Sequence, residues 1–181
     1  MRECLNLANL VIFVYSFVTA SFNYYLITFN MKYIPGDVFT NTIVSSVAEA
    51  VATVISAPLR NALGPRNSLT SMFAVCGIAG VFLWIAEGNE SWVNEIPPII
   101  LAAKFGISAA FAFLYMGTSH YFDSRYMGTV FGICNIICRA ATITSPMVAE
   151  AEFPIPVISL ILSCFVATIL SRFLREPRTK K

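Results

Sequence analysis

The stretch LNLANLVIFVYSFVTASFNYYLITFNM, Leu5 to Met31, is 27 residues long and carries no charged side chain. A helix rises 1.5 Å per residue, so about 20 predominantly apolar residues cross the hydrocarbon core of a bilayer. This one stretch is long enough to do so. Five more of the same kind follow: Val38–Leu59, Ser68–Ala86, Ile96–Ser119, Tyr126–Ala149 and Phe153–Ser171. Runs this long do not fit the strands of about ten alternating residues that build an outer-membrane barrel. The reading is an all-α membrane protein, one domain over residues 1–181, with six transmembrane helices at about 5–31, 38–59, 68–86, 96–119, 126–149 and 153–171.

The whole composition agrees with that stretch. Of 181 residues, 57% are hydrophobic and 12% charged, with a mean hydropathy of +0.72. A soluble domain carries about a quarter charged residues, so too few polar groups are present here to cover a water-facing surface. Lys and Arg together number 12 against 10 acids, a balance that excludes a nucleic-acid binder. The one histidine, His120, leaves no basis for a histidine metal cage or a Ser-His-Asp triad, so no catalytic residue, metal or cofactor is expected. Five cysteines, an odd number with most inside the apolar runs, read as small packing residues rather than a disulfide framework. The first run is far longer than the apolar core of a signal peptide and reads as a retained span.

Connectors are short and rich in helix breakers: Tyr33-Ile34-Pro35-Gly36-Asp37, Leu63-Gly64-Pro65-Arg66, Glu95-Ile96-Pro97-Pro98 and Glu150–Pro156. Asn89-Glu90-Ser91 is a formal glycosylation sequon in a loop too short to favour modification. Placing the termini, Arg60–Asn67 and Ser119–Arg125 on one side gathers nine cations there, against Lys32 alone on the other. By the positive-inside rule both termini face the cytoplasm, or the matrix of a mitochondrion. Small residues at helical spacing, Gly128/Gly132, Ala48/Ala52 and Gly77/Gly80, supply the close approach that helices need where lipid gives no hydrophobic drive.

Three charges fall within the apolar runs. A charge at mid-bilayer costs at least about 2.5–3.5 kcal/mol, so each requires a partner or a wet cavity. Glu49 and Arg139 both fall near the middle of their spans with opposite sign; they either line a cleft for a charged small molecule or pair with one another. Lys104 lies nearer the end of its span, where its long stem can snorkel.

These residues and their order carry a family resemblance. Tyr24-Tyr25 late in the first span, Asn41 eight residues before Glu49, and Gly128-x-x-x-Gly132 followed by Arg139 and then Pro146 resemble the C-terminal six-helix half of major facilitator superfamily transporters, in the organic cation/anion carrier branch. The resemblance implies a half-bundle with a midplane cavity, in which Tyr24, Tyr25, Asn41, Tyr115 and Asn135 line the space around Glu49, Arg139 and Lys104. It also places remnants of the branch's gating loops at Asn61, Gly64, Arg66, His120, Asp123 and Arg125. The sequence departs from the branch there. Asn61 and Pro65 stand where the first loop has an acid and an Arg, and His120, Asp123 and Met127 stand where the second has Glu, Pro and Arg.

Two functions follow from a carrier half with eroded gates. The first is a structural component of a larger membrane complex, such as one in the mitochondrial inner membrane, with lipids and other membrane subunits as partners. The second is a half-transporter that moves a small organic ion after pairing with a second six-helix half.

Overall fold

The computed structural model describes residues 2–33, 38–88, 92 and 95–174 and contains only helices and their connections there. Helix α1 spans Arg2–Asn30 and closes in a 3-10 turn at Met31–Tyr33; α2 spans Val38–Leu63, α3 Pro65–Glu87 and α4 Ile96–Tyr121. The fifth span is divided into α5, Met127–Thr142, and a short α6, Ser145–Ala149; α7 spans Ile155–Arg172. Among the described residues, six segments are long and apolar enough to cross a membrane. The connector at residues 34–37, the sequon at residues 89–91 and the basic tail at residues 175–181 lie outside the described residues.

Prolines and one glycine set the boundaries. Gly64 takes φ +81°, a left-handed conformation that glycine adopts without a Cβ clash, and its N–H closes α2 on the Arg60 carbonyl at 2.9 Å. Pro65 then opens α3, and prolines occupy the first turn of α4, α6 and α7, where a missing N–H costs nothing. Pro146 has the larger effect. The expected single helix over 126–149 is interrupted at Ile143-Thr144, because a proline cannot donate back along the helix. The Thr144 N–H turns to the Ala141 carbonyl at 3.1 Å, and the Ser145 hydroxyl donates to the Phe22 carbonyl of α1 at 3.1 Å.

Helix α3 packs most extensively, on α4 and α7, while α1 runs against α4, α5, α6 and α7. Close approach is set by small residues. A Cβ at Gly106 of α4 would lie 3.0 Å from the Met72 carbonyl oxygen and 3.1 Å from the Cys76 nitrogen, so the α3 and α4 backbones nearly touch there. Gly80 makes room for the Leu160 and Ile161 side chains of α7, and Ala52 is fully buried. Gly128 and Gly132 do not do what their spacing predicts: no atom lies within 4 Å of a Cβ built on either. Their face of α5 is open because the neighbouring α1 packs against a different side of that helix.

Between α1 and α4 the core is aromatic. Phe13 and Phe17 are fully buried and meet Tyr121, Phe122, Phe111, Tyr115 and Phe131 edge-on at centroid distances of 5.3–6.3 Å. By contrast, α2 and α5 are the most open helices, with Val54 and Ile136 more than 70% exposed. Apolar side chains facing outward suit a surface that meets lipid or another protein.

Candidate functional site: a polar cavity between four helices

Helices α1, α2, α4 and α5 leave between them a cavity of about 590 Å³. That is the size of a small-molecule site. Its wall is aromatic and apolar at Tyr24, Tyr25, Phe111, Tyr115 and Met116, with Ser21, Thr53, Ser56 and Ser108 as hydroxyls and Glu49 and Arg139 as charges.

Behind that wall lies Lys104, 1% exposed. Its ammonium is 2.9 Å from Glu49 Oε1, donates to Thr28 Oγ1, and sits 3.7 Å from the centroid of the Tyr24 ring. The Tyr24 hydroxyl donates to the other Glu49 oxygen at 3.0 Å. One carboxylate from α2, one ammonium from α4, and a phenol and a hydroxyl from α1 therefore form a knot joining three helices. Lys104 does not snorkel to the membrane surface, and Glu49 does not pair with Arg139. Lys104 points inward because its position on α4 faces α1 and α2, where a carboxylate and an aromatic ring replace its lost hydration.

Arg139 lines the same cavity from α5 but is left with a weaker partner. Its Nη1 donates to the Tyr25 hydroxyl at 3.1 Å, and no carboxylate lies within ion-pair distance among the described residues. Of the three charged groups, Glu49 is paired with Lys104, and Arg139 faces the space without a carboxylate partner among the described residues. Tyr24 and Tyr25 meet edge-on at 5.4 Å and hold one of these centres each.

Of the other expected lining residues, Tyr115 is in the wall, packed on Phe111 at 5.1 Å. Asn135 is not: its side chain donates to the Phe131 carbonyl of its own helix at 2.9 Å. The side chain of Asn41 lies outside the described residues. Ser21, Ser56, Ser108 and Phe111 were not legible as lining residues, although Ser108 falls one helical turn after Lys104, the spacing that puts two side chains on one face.

The loop residues do not assemble a charge latch. Asn61 is exposed in the last turn of α2, and Arg125 is exposed in the turn before α5. His120 is exposed and lies edge-on to Tyr121 at 5.1 Å. Asp123 is exposed, and its backbone carbonyl accepts from the N–H groups of Tyr126 and Met127. Arg66 is tied differently, donating to the Arg172 carbonyl, while Arg172 reaches Asn67 Oδ1 at 3.2 Å. At the opposite end Lys32 pairs with Glu150.

Six membrane-length helices, four of which wall a partly polar cavity, fit half of a transporter bundle. The comparisons agree. The chain is 27% identical over 178 residues to a solute carrier family 22 member 15-like protein of Xenopus laevis, covering 94% of this chain and 36% of that protein. It is 23% identical over 129 residues to the human organic cation/carnitine transporter 2, covering 71% of this chain and 23% of that protein. Against an organic cation transporter 1 of Caenorhabditis elegans it is 22% identical over 169 residues, 92% of this chain and 28% of that one. No family model matches the chain. Its relatives thus include a solute carrier family 22 protein and organic cation transporters, and the chain spans about a third or less of their length.

Proposed function

We propose that this chain is a transporter-derived membrane half that binds a small organic anion in its cavity and forms one wall of an alternating-access carrier. A single observation carries the reading: Lys104 neutralises Glu49, while Arg139 lines the same cavity with no carboxylate partner among the described residues. A cation entering would meet net positive charge and a carboxylate already engaged. An anion would meet a planar guanidinium suited to a carboxylate. Rocking carriers place their site between two halves at the membrane midplane. The open faces of α2 and α5, with Gly128 and Gly132 uncovered, are where a second six-helix half would pack. The end bearing Arg66 and Arg172 is proposed to face the cytoplasm or matrix, following the cation asymmetry.

The test is uptake into liposomes holding the purified protein, alone and with the N-terminal half of a relative. Saturable uptake of an organic anion, lost on Arg139→Gln with folding intact, supports the reading. Uptake of organic cations instead would overturn the charge argument.

A specific observation favours a second reading, a structural subunit of a larger membrane assembly. The loop positions that gate a carrier are altered at Asn61, Pro65, His120 and Met127, and those within the described residues make no ion pair. Purification in mild detergent, followed by mass spectrometry of what co-migrates, separates the two. Stoichiometric unrelated membrane subunits would support this second role.

A further inference from the structure

We infer that the junction of α3 and α7 is a binding site for one anionic phospholipid, its phosphate held by Arg66 and Arg172 and an acyl chain laid along α7. This goes beyond the carrier reading and does not depend on it. Among the described residues α7 packs on α1, α3 and α6 and on neither α2 nor α5, whose open faces are the ones proposed to meet a second half.

Two cations are brought together at this junction. Arg66, in the first turn of α3, donates to the Arg172 carbonyl at the end of α7, while Arg172 Nη1 donates to Oδ1 of Asn67, the residue after Arg66, at 3.2 Å. Each arginine reaches across to the other's helix, and the Thr70 and Ser171 hydroxyls join the same two helices at 3.0 Å. The Arg66 guanidinium thereby meets the negative end of the α7 dipole. That is a fraction of one charge, and neither arginine forms an ion pair with a carboxylate among the described residues. Like charges fastened to one seam repel, and an anion between them turns that repulsion into attraction. Arg172 is exposed and Arg66 half-buried, so the pair opens on the surface of the bundle. The planar fork of each guanidinium matches the oxygens of a phosphate.

The surroundings specify a lipid as the source of that phosphate. Pro65 begins one membrane-length segment and Arg172 ends another, which sets the pair at the border of the hydrocarbon, where lipid phosphates lie. One turn before Arg172, Ile169 starts an apolar stripe that continues through Val166 to Leu162, all 41–60% exposed. Their spacing of three and four keeps them on one face of α7. An acyl chain hanging from a phosphate at Arg172 covers this stripe, whereas a soluble phosphate leaves it bare. Phosphatidylcholine carries the same phosphate, but its quaternary ammonium returns a positive charge to a place that already holds two. The preferred headgroup is therefore one with net negative charge, such as phosphatidylglycerol.

The experiment titrates the full chain, purified in a neutral maltoside detergent, with phosphatidylglycerol or phosphatidylcholine of the same acyl chains and counts bound lipids by native mass spectrometry. The expected result is one phosphatidylglycerol per chain held roughly twentyfold more tightly than phosphatidylcholine, about fivefold for each arginine. Arg172→Gln and Arg66→Gln each lower that preference about fivefold, with folding checked by circular dichroism. Arg172 is exposed, so its variant keeps the test informative should Arg66→Gln unfold. Equal affinity for the two lipids, or a preference that survives both substitutions, overturns the site. So does an equal loss on Arg125→Gln, an exposed cation in the turn before α5, because the attraction is then that of the whole charged end. A preference abolished by glutamine at Arg175, Arg178, Lys180 and Lys181, with Arg66 and Arg172 intact, assigns the lipid to the basic tail and also overturns it. Displacement of the lipid by millimolar glycerol 3-phosphate would identify a soluble phosphate as sufficient and overturn the role of the acyl chain.

Discussion

Replacing Glu49 by alanine leaves Lys104 as an ammonium that is 1% exposed, with only the Thr28 hydroxyl and the Tyr24 ring for company. Breaking a buried pair by removing one partner costs about 3–5 kcal/mol. The lower end applies, since the Glu49 side chain keeps 28% exposure and water entering its space hydrates the lysine in part. About 3 kcal/mol is therefore expected. Lys104→Met is milder, about 1–2 kcal/mol, because Glu49 is nearer the open space and still accepts from Tyr24 at 3.0 Å. The double variant loses the charges together and should cost about 1–2 kcal/mol, which leaves a coupling of about 3 kcal/mol between the two sites. Titration with sodium dodecyl sulfate in mixed micelles, followed by helical circular dichroism, reads these values. The buried thiols of Cys76, Cys134, Cys138 and Cys164 report the same transition through alkylation. A double variant whose loss equals the sum of the singles to within about 0.5 kcal/mol would refute the knot.

Three further outcomes are expected. Glu49→Ala and Arg139→Ala add to within about 0.5 kcal/mol in the same titration, since the two residues have separate partners in Lys104 and Tyr25; strong coupling would restore a direct pair. Gly106→Ala lowers stability by about 1–3 kcal/mol, because the new methyl meets α3 backbone, whereas Gly132→Ala meets nothing and raises it by about 0.5–1 kcal/mol. If both glycine variants behave alike, the packing of α3 on α4 is not as described. Arg66→Ala removes the donor to the Arg172 carbonyl, costs about 1 kcal/mol, and speeds amide exchange in the last turn of α7; unchanged exchange there would count against the contact.

The six spans were legible because a bilayer demands length and apolarity, and both are written in uncharged runs such as Leu5–Met31. The breaks were legible in part. Gly64-Pro65 marks a turn unambiguously, but Pro146 falls inside an apolar run that reads as one continuous span, and its effect depends on whether neighbouring groups accept the freed backbone. Of the residues expected around one cavity, the structure places Tyr24, Tyr25, Glu49, Tyr115 and Arg139 in its wall and Lys104 behind it. Their pairing was not legible. Position along a span gives depth, so Glu49 and Arg139 matched best, whereas partners are chosen by rotation about the helix axis, which puts Lys104 against Glu49. The small-residue pairs show the same limit: Gly77/Gly80 and Gly128/Gly132 read alike, yet only the first faces another helix of this chain.

The proposed function turns on the sign of the charge that the cavity accepts. Equilibrium binding of benzoate and of benzylammonium, two ions of nearly the same shape and opposite charge, to the full chain in neutral nanodiscs measures that sign directly. Saturable benzoate binding is expected, falling at least tenfold on Arg139→Gln with the loss of one charge-assisted contact, and benzylammonium neither binds nor competes. Benzylammonium bound in preference, with its affinity dependent on Glu49, would contradict it.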